Sequence, residues 1–310
     1  MPSSRVLPVH LMFGDLGVHP SVKAADVVVA ADASLDDVLA GVVARAEVTP
    51  VTVAMDRSLD PGHVLGILLT ELQGRLCATS LACIVSARDL WSALSVGETA
   101  DVCHDSAMVA AQVECSSAVV IIDWGDLDRD KVARLMGMVR MLNPHADLVL
   151  ESSMRWRPTA GAHPLTLMNR AGWMRVLSDV LPSPLDVGSL GWYRYQNPRP
   201  FHPGRLADAL DVDLVHGGDR ILRSIGFCQF ATRADMTALW TQVGAHIRFD
   251  PLPDRGVDTV SLGQDVAFLG ERLDTESLRR TLDSCTLTDD ELIAGPVHWV
   301  SMADPLPAWG

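Results

Sequence analysis

The sequence predicts an α/β fold in two parts, a doubly wound domain built on a parallel sheet and a smaller α+β domain after it. The chain has 310 residues, more than the ~250–300 at which a single hydrophobic core usually stops growing. Its first half alternates short β-branched runs with amphipathic helical patterns, which is typical of βαβ units. Two prolines in the Leu-Pro-Ser-Pro stretch at 181–184 interrupt that alternation,. We therefore place the domains at residues 1–185 and 190–310.

The first half contains six apolar runs and several helical patterns. The predicted strands are 6–13, 26–30, 51–55, 82–85, 118–122 and 146–150. Apolar residues at i, i+3 and i+4 spacing predict helices at 35–46, 63–72, 102–113 and 131–142, and a further one at 164–180,. This order predicts a mostly parallel sheet with helices on both faces.

The second half has a different order of predicted strands and helices. The predicted strands are 191–195, 220–230 and 265–270, and the predicted helices are 203–209, 233–243 and 275–284. Such a mixture is typical of a small antiparallel sheet with helices packed on one face.

Composition and charge exclude several classes of protein. With 48% apolar and 21% charged residues, the chain is neither disordered nor fibrous. Its formal charge of −14 repels phosphate backbones and anionic lipid, so direct chain-wide nucleic-acid binding is disfavoured. The first residues lack an unbroken apolar region, and no later stretch reaches the ~18 apolar residues of a membrane span. We expect a cytoplasmic protein.

The six cysteines include no C-x-x-C pair, so they predict buried thiols in a reducing compartment. Cys103, His104 and Cys115 could supply three soft ligands to Zn²⁺,. Adjacent residues of a helix point about 100° apart, however, which favours a buried thiol beside an exposed histidine. The sequence therefore predicts no metal site and leaves these three as weak candidates.

Five phrases of the second half carry a family resemblance. They are RPFHPGRLADAL (199–210), ILRSIGFCQFATR (221–233), VAFLGERLD (266–274), LRRTLDSCTLTDDEL (278–292) and DPLPAW (304–309). In this order they resemble the C-terminal domain of the CobW family of P-loop GTPases and metallochaperones. The first half is similar to the GTPase domain of that family at AAQVECSSAVVIIDWGDL (110–127) and LNPHADLV (142–149). The resemblance implies a shortened P-loop-NTPase-like domain followed by a CobW C-terminal domain.

The phosphate loop departs from the family pattern G-x-x-x-x-G-K-[ST], in which backbone N–H groups and the lysine hold the phosphates. Aligned without a gap, Gly14 takes the place of the first glycine and Ser21 that of the hydroxyl residue, while Gly17 lies between them. His19 replaces the second glycine and Pro20 replaces the lysine. The proline also lacks an N–H, so both charge and donor geometry are lost.

Three other family motifs are altered as well. The guanine-reading N-K-x-D becomes Asp-Trp-Gly-Asp at 123–126 and keeps only Asp126. The switch segment becomes Asp-Arg-Ser-Leu-Asp-Pro at 56–61 and lacks the glycine, and the metal-binding C-x-C-C falls on the thiol-free 28–31. The resemblance therefore implies a pseudo-GTPase without a cofactor, in which Gly14, Gly17, Ser21 and Asp126 form a vestigial nucleotide site. The alternative is a nucleotide-dependent zinc metallochaperone that uses GTP with Mg²⁺ and zinc.

Two functions remain for such a chain, recruitment of a partner protein and metal trafficking. Short members of the family without the full motif set occur in actinobacteria, where some are tied to zinc starvation. The resemblance thus implies, as the sharpest form of the first function, recruitment of a ribosome-hibernation factor to the ribosome under zinc limitation. Aromatic and arginine side chains dominate binding hot spots, so we expect Tyr193, Arg194 and Tyr195 to contact the partner.

Two further groups have structural interpretations. His202 and Arg205 are expected to fix a strand-to-helix corner through hydrogen bonds, because buried polar groups must be satisfied. Asp289, Asp290 and Glu291 are expected to cap a helix, where carboxylates favour the N-terminal dipole,.

Overall fold

A computed structural model gives the fold. The structure describes residues 7–14, 25–34, 42, 51–70, 76–94, 103–151, 171–180, 190–211, 220–244, 246–252, 263–307 and 309. The chain divides into two compact units, one formed by 1–93 and 99–174 and the other by 94–98 and 175–310. The expected break at 181–184 lies outside the described residues.

The first unit contains a six-stranded sheet. Its strands are β1 (Leu7–Gly14), β2 (Val27–Val29), β3 (Val51–Asp56), β4 (Leu76–Ser86), β5 (Ala118–Ile122) and β6 (Asp147–Leu150). Their order across the sheet is β2-β3-β1-β4-β5-β6, and each of these pairs is parallel. The predicted doubly wound parallel sheet is confirmed.

Helices connect these strands. They are α1 (Pro61–Thr70), α2 (Ala87–Leu94), α3 (Cys103–Cys115), α4 (Arg129–Leu142) and α5 (Gly172–Leu177), the last of which crosses the division between the units. A short 3₁₀ turn, Trp124–Asp126, follows β5. Asp128 begins α4 as its N-cap, since its side chain accepts a hydrogen bond from the Lys131 N–H,. The predicted helix at 35–46 lies outside the described residues, apart from residue 42.

The sheet of the first unit is buried on both faces. Along β1, Leu11 and Phe13 belong to one core cluster, and Met12 belongs to a cluster on the opposite side. All five residues of β5 are buried. Such continuous burial is the expected state of a parallel strand covered by helices on both faces.

The second unit contains an antiparallel sheet of five strands. They are β7 (Leu190–Asn197), β8 (Arg220–Cys228), β9 (Ala238–Val243), β10 (His246–Pro251) and β11 (Gln264–Glu271), in the order β10-β9-β8-β11-β7. Its helices are α6 (Pro203–Ala209), α7 (Thr275–Cys285), α8 (Asp289–Ala294) and α9 (Pro296–Trp299). The predicted α+β arrangement is confirmed.

Aromatic rings dominate the core of this unit. Trp240 is fully buried and packs edge-on against Phe249 and Phe268, with ring centroids 5.2 and 6.0 Å apart. Phe201 lies 6.1 Å from the same ring. Edge-to-face pairs of this kind add to the stabilisation given by apolar burial.

One predicted helix is wrong. Residues 233–243 form only the end of a 3₁₀ turn, Ala231–Arg233, followed by the strand β9. Burial along β9 alternates from Ala238 to Thr241, which is the two-residue period of a strand. Trp240 and the β-branched residues Thr241 and Val243 favour that conformation. β10, which pairs with β9, was not predicted.

The cysteine interpretation is confirmed for Cys83, Cys228 and Cys285, which are buried. Burial raises the pKa of the Cys83 thiol to about 12. Cys115 is half-buried and packs against the core of the first unit. In the part of the chain that the structure describes, no helix is long and apolar enough to cross a membrane.

Candidate functional site

The parallel sheet has a topological switch point between β1 and β4. The chain leaves β1 towards β2 and β3 on one side, and it leaves β4 towards β5 and β6 on the other. In open α/β sheets, ligands bind in the crevice outside the carboxyl ends of the strands at such a point. Gly14 ends β1 there and Ser86 ends β4.

The vestigial nucleotide residues are only partly described. Gly14 is buried at the end of β1, where a phosphate-binding loop would begin. Gly17 and Ser21 lie outside the described residues, as do His19 and Pro20. The sequence between Gly14 and Ser21 contains no lysine or arginine, so it offers a phosphate no side-chain cation apart from a protonated histidine.

Asp126 lies in a small open cleft beyond the ends of β4 and β5. The cleft has a volume of about 330 Å³ and is lined by Ser86, Arg88, Asp123, Asp126 and Leu127. The carboxylates of Asp123 and Asp126 are exposed and can only accept hydrogen bonds when ionised. The Ser86 hydroxyl oxygen accepts a hydrogen bond from the Asp89 N–H at 3.0 Å, and its own O–H can still donate to a ligand. With the Arg88 guanidinium and the Ser86 hydroxyl as donors and two carboxylates as acceptors, the cleft can bind a small polar ligand,.

The loop that follows β3 corresponds to the altered switch segment, and a buried glutamine holds it. Gln112, on α3, is 2% exposed. Its Nε2 donates to the carbonyl oxygens of Arg57 and Leu59 at 2.7 and 3.1 Å. Both donors of one amide are thus used to fix two carbonyls of this loop.

Contacts within the loop after β3 also fix its conformation. Asp56 accepts hydrogen bonds from the Ser58 N–H at 2.9 Å and from its hydroxyl at 2.7 Å, as in an Asx turn. The Leu59 side chain packs against the core of the unit. These protein contacts account for the conformation of the loop without a nucleotide.

The weak zinc candidates are excluded as a set by the length of α3. Cys103 is its first residue and Cys115 its last, so at 1.5 Å per residue the two lie about 18 Å apart along the helix. Two thiolates on one Zn²⁺ must each lie ~2.3 Å from it. Among the described residues, no three His, Cys, Asp or Glu side chains are grouped to hold a metal ion.

The prediction that Tyr195 contacts a partner is wrong. Its side chain is 1% exposed, and its ring stacks on Phe201 with centroids 6.3 Å apart. Its hydroxyl donates to Asp283 at 3.1 Å. Burial raises the pKa of this phenol, and the Asp283 carboxylate raises it further. Tyr195 lies in the core because residues of β7 alternate between the two faces of the sheet.

Arg194 lies on the opposite face of β7 and is engaged by two carboxylates. Its Nε and Nη2 each donate to Asp265 at 2.7 Å, and its Nη1 pairs with Asp179. Tyr193 is half-buried against Phe268. As partner contacts, Arg194 and Tyr193 stay predictions.

The expected strand-to-helix corner is confirmed. His202 is the N-cap of α6, and its Nδ1 accepts a hydrogen bond from the Arg205 N–H at 3.3 Å. The Arg205 guanidinium donates to both carboxylate oxygens of Glu291, at 2.9 and 2.7 Å, and to the Thr286 carbonyl at 2.8 Å. Glu291 also completes a capping box with Thr288 at the start of α8,. The capping role expected for residues 289–291 is therefore confirmed, and Glu291 has an ion-pair role that the sequence analysis missed.

Known proteins support the family resemblance. Residues 192–286 match the family model of the cobalamin synthesis protein cobW C-terminal domain. The chain is 22% identical over 238 residues to a zinc-regulated GTPase metalloprotein activator 1 of Dictyostelium discoideum. That alignment covers 63% of this chain, which spans about half the length of that curated relative (47%).

Two crystal structures also align with the chain. They are the Zn(II)-bound YjiA GTPase from E. coli and a Zn(II)-bound triple mutant of YjiA, each 12% identical. Each alignment covers 91% of this chain and 100% of the other, with TM-scores of 0.42 and 0.41. The family-model match confirms the resemblance to the CobW family for the C-terminal domain, residues 192–286.

Proposed function

We propose that this protein is a pseudo-GTPase that acts as a binding and recruitment protein and catalyses no reaction. The observation that carries the proposal is the proline at the lysine position of the phosphate-loop pattern. β1 ends at Gly14 where a phosphate loop would start, and the position of the phosphate-binding lysine is occupied by Pro20. A charge-assisted contact to phosphate contributes ~1.5–3 kcal/mol, and proline supplies neither the charge nor a backbone N–H.

The loop after β3 supports the same proposal. A switch responds to the γ-phosphate by changing from one arrangement to another. Here Gln112 holds two carbonyls of the loop through its buried amide, and Leu59 anchors the loop to the core. A ligand would have to break those contacts to move the loop.

In its sharpest form, the proposal is that the protein brings a ribosome-hibernation factor to the ribosome in the cytoplasm under zinc limitation. Its support is the resemblance to short CobW-family members that lack the full motif set. The charge of −14 favours contact through the protein partner, because the chain as a whole repels RNA,.

The alternative is a zinc metallochaperone that uses GTP with Mg²⁺. The observation in its favour is the relative named as a zinc-regulated GTPase metalloprotein activator. The residues of this chain fit that chemistry poorly, since 28–31 contain no thiol and the phosphate loop no lysine. We therefore derive no catalytic step from it.

Calorimetric titration with GTP and Mg²⁺, together with an assay for released phosphate, tests the proposal. We expect no binding in the micromolar range and no turnover. The matched variant is the double substitution His19→Gly with Pro20→Lys, which restores the family pattern and should raise GTP affinity. A wild-type protein with a micromolar dissociation constant and measurable turnover would refute the pseudo-GTPase.

The recruitment proposal is tested by affinity purification from zinc-depleted and zinc-replete cells. We expect ribosomal subunits and a hibernation factor in the depleted sample alone. Enrichment of another metalloprotein, with one zinc per chain in metal analysis, would favour the metallochaperone.

A further inference from the structure

β7 is an edge strand of the second unit. The five-stranded sheet ends at β7 on one side and at β10 on the other. In the described part of the chain, β11 is the only strand that pairs with β7. The outer backbone N–H and C=O groups of an edge strand form a template for another strand, so proteins usually protect such an edge. The common means are a short strand, exposed charges, proline and β-bulges.

The other three edge strands of the two described sheets have this protection, and β7 lacks it. β2 and β6, at the ends of the parallel sheet, are three and four residues long. β10 ends at Pro251, and its Arg248 side chain is 72% exposed. β7 has eight residues with no proline and no lysine, and its register with β11 runs without a shift from Leu190 to Asn197. β7 is therefore the edge best suited to strand addition.

Side-chain contacts hold β7 in place from both faces of the sheet. On one face, two nitrogens of Arg194 donate to Asp265 of β11, each at 2.7 Å. On the other face, the Tyr195 hydroxyl and the Asn197 Nδ2 donate to Asp283 of α7 at 3.1 and 3.0 Å. A strand that is already ordered lowers the entropic cost of binding a partner.

A glycine leaves open space on the Tyr193 face of β7. Gly191 and Tyr193 are two residues apart and so lie on the same face of the strand. A Cβ atom built on Gly191 would contact nothing within 4 Å. A glycine in an edge strand is well covered by an aromatic side chain from the neighbouring strand. An added strand can therefore place a ring over Gly191.

The charge on the Arg194 face favours a basic segment. Among the described side chains, the one guanidinium of Arg194 meets two carboxylates there, those of Asp265 and Asp179. The Asp179 side chain remains 86% exposed. This face thus keeps an excess negative charge that complements a lysine or arginine of a partner.

A second copy of this chain fits the edge less well. It would bring the same set of one arginine and two aspartates to the same face, together with a further charge of −14. Like charges brought together oppose association.

We propose that β7 binds an extended basic segment of a partner protein as a sixth strand of the antiparallel sheet. The backbone of the segment bonds to the outer edge of β7, an aromatic ring of the segment covers Gly191, and a lysine or arginine pairs with Asp179. In this mode of recognition, backbone hydrogen bonds give affinity and alternate side chains give specificity. The proposal rests on the proposed recruitment function and assigns the strand that contacts the partner.

The experiment uses the full-length chain and a labelled synthetic peptide that alternates phenylalanine or valine with lysine. Two matched peptides carry backbone N-methyl groups, one on its apolar residues and the other on its lysines, and a further peptide has glutamate in place of lysine. Fluorescence anisotropy gives the dissociation constant for the wild type, Gly191→Lys and Asp179→Asn. His246→Lys is the control, because it introduces lysine at an exposed position of the other edge strand, β10.

We expect the wild type to bind the lysine peptide several-fold more tightly than the glutamate peptide. Bonding groups of a strand alternate between its two edges, so one N-methylated peptide should lose at least tenfold in affinity and the other less than twofold. Gly191→Lys should lose at least tenfold, because its side chain fills the space of the ring. Asp179→Asn should lose a few-fold, and His246→Lys should lose nothing.

Hydrogen exchange locates the bound peptide. Alternate backbone amides of β7 should exchange at least tenfold more slowly in the complex, while exchange of the β10 amides stays unchanged. All three variants should unfold close to the wild-type temperature, since Gly191 has space for a side chain and the other two positions are exposed.

Four results would overturn the proposal. They are absence of binding to the lysine peptide, equal binding of the two N-methylated peptides, loss of binding in His246→Lys but not in Gly191→Lys, and a wild-type self-association that Gly191→Lys abolishes. The proposed function fails separately. GTP turnover with intact peptide binding would refute the pseudo-GTPase and leave the β7 site. A hibernation factor that still co-purifies with Gly191→Lys would leave recruitment and remove β7 from it.

Discussion

The Arg205–Glu291 ion pair makes the stability of the second unit depend on acid pH. The Arg205 hydrogen bonds hold the pKa of Glu291 at about 2, below its usual value of 4.5, and the Thr288 N–H contributes to that lowering. Glu291→Gln removes the charge but keeps one oxygen that can accept from Thr288, while its NH₂ group cannot accept from Arg205, so the change removes the bidentate ion pair. We expect this variant to be less stable at neutral pH.

The magnitude follows from the pKa. A decrease from 4.5 to about 2 corresponds to about 3 kcal/mol as an upper bound. The side chains of Arg205 and Glu291 remain 33% and 21% exposed, and solvent screening reduces the expected contribution to about 1–2 kcal/mol. A group whose pKa is lower in the folded state stabilises the fold above its unfolded pKa. That contribution is lost as the pH falls from about 4.5 through about 2,.

Urea unfolding of the wild type and Glu291→Gln, at a series of pH values from 7 to 3.5, measures the difference. We expect it to be complete at pH 7 and to shrink by about half or more at pH 3.5. Asp290→Asn is the control, since it removes an exposed carboxylate of the same helical turn and should change stability by no more than about 0.5 kcal/mol. A Glu291→Gln difference independent of pH would refute the reasoning.

Three other substitutions test the remaining contacts. Tyr195→Ala should destabilise the protein by about 3–5 kcal/mol in urea unfolding. Tyr195→Phe should destabilise it by about 1 kcal/mol, because only the hydroxyl hydrogen bond is lost. Equal losses in the free energy of unfolding would contradict the core position of Tyr195. Gly226→Ala should prevent folding, as judged by soluble yield and circular dichroism, because its Cβ would lie 2.2 Å from the Asp265 carbonyl oxygen. Gln112→Leu should accelerate hydrogen exchange of the backbone amides at 57–59 about tenfold. GTP with Mg²⁺ should leave amide exchange of the wild-type loop unchanged. Amide exchange that changes on addition of GTP would show that the loop is a switch.

Much of the fold follows from period and turn chemistry in the sequence. The predicted strand 118–122 matches β5, and the predicted helix 203–209 matches α6. The strand is a short apolar run, and the helix has a proline at its first position. Both are strong local signals. At 233–243, tertiary packing of Trp240 decided the outcome, and the helical prediction failed.

The site was less predictable. Tyr195 could have been recognised as a core residue, because alternation along β7 places it on the face opposite Arg194. Gln112 gave no signal, since its two carbonyl partners precede it by 53 and 55 residues and no motif records such a contact. The Glu291 ion pair was hidden for the same reason, because Arg205 lies on another helix.

The two units show why the chemical motifs can be lost while the fold persists. β1 pairs with β3 and β4 along its length, and Leu11, Met12 and Phe13 are almost fully buried, so its place in the sheet depends on apolar burial and strand pairing. Substitutions after Gly14 remove phosphate ligands without removing any of these contacts. In the second unit, Arg233 donates to Asp304 and to two backbone carbonyls of the segment 304–309, and its guanidinium stacks 4.4 Å above the Trp309 ring. The position of this segment thus depends on polar contacts and ring stacking within the second unit, as that of β1 depends on strand pairing and burial within the first.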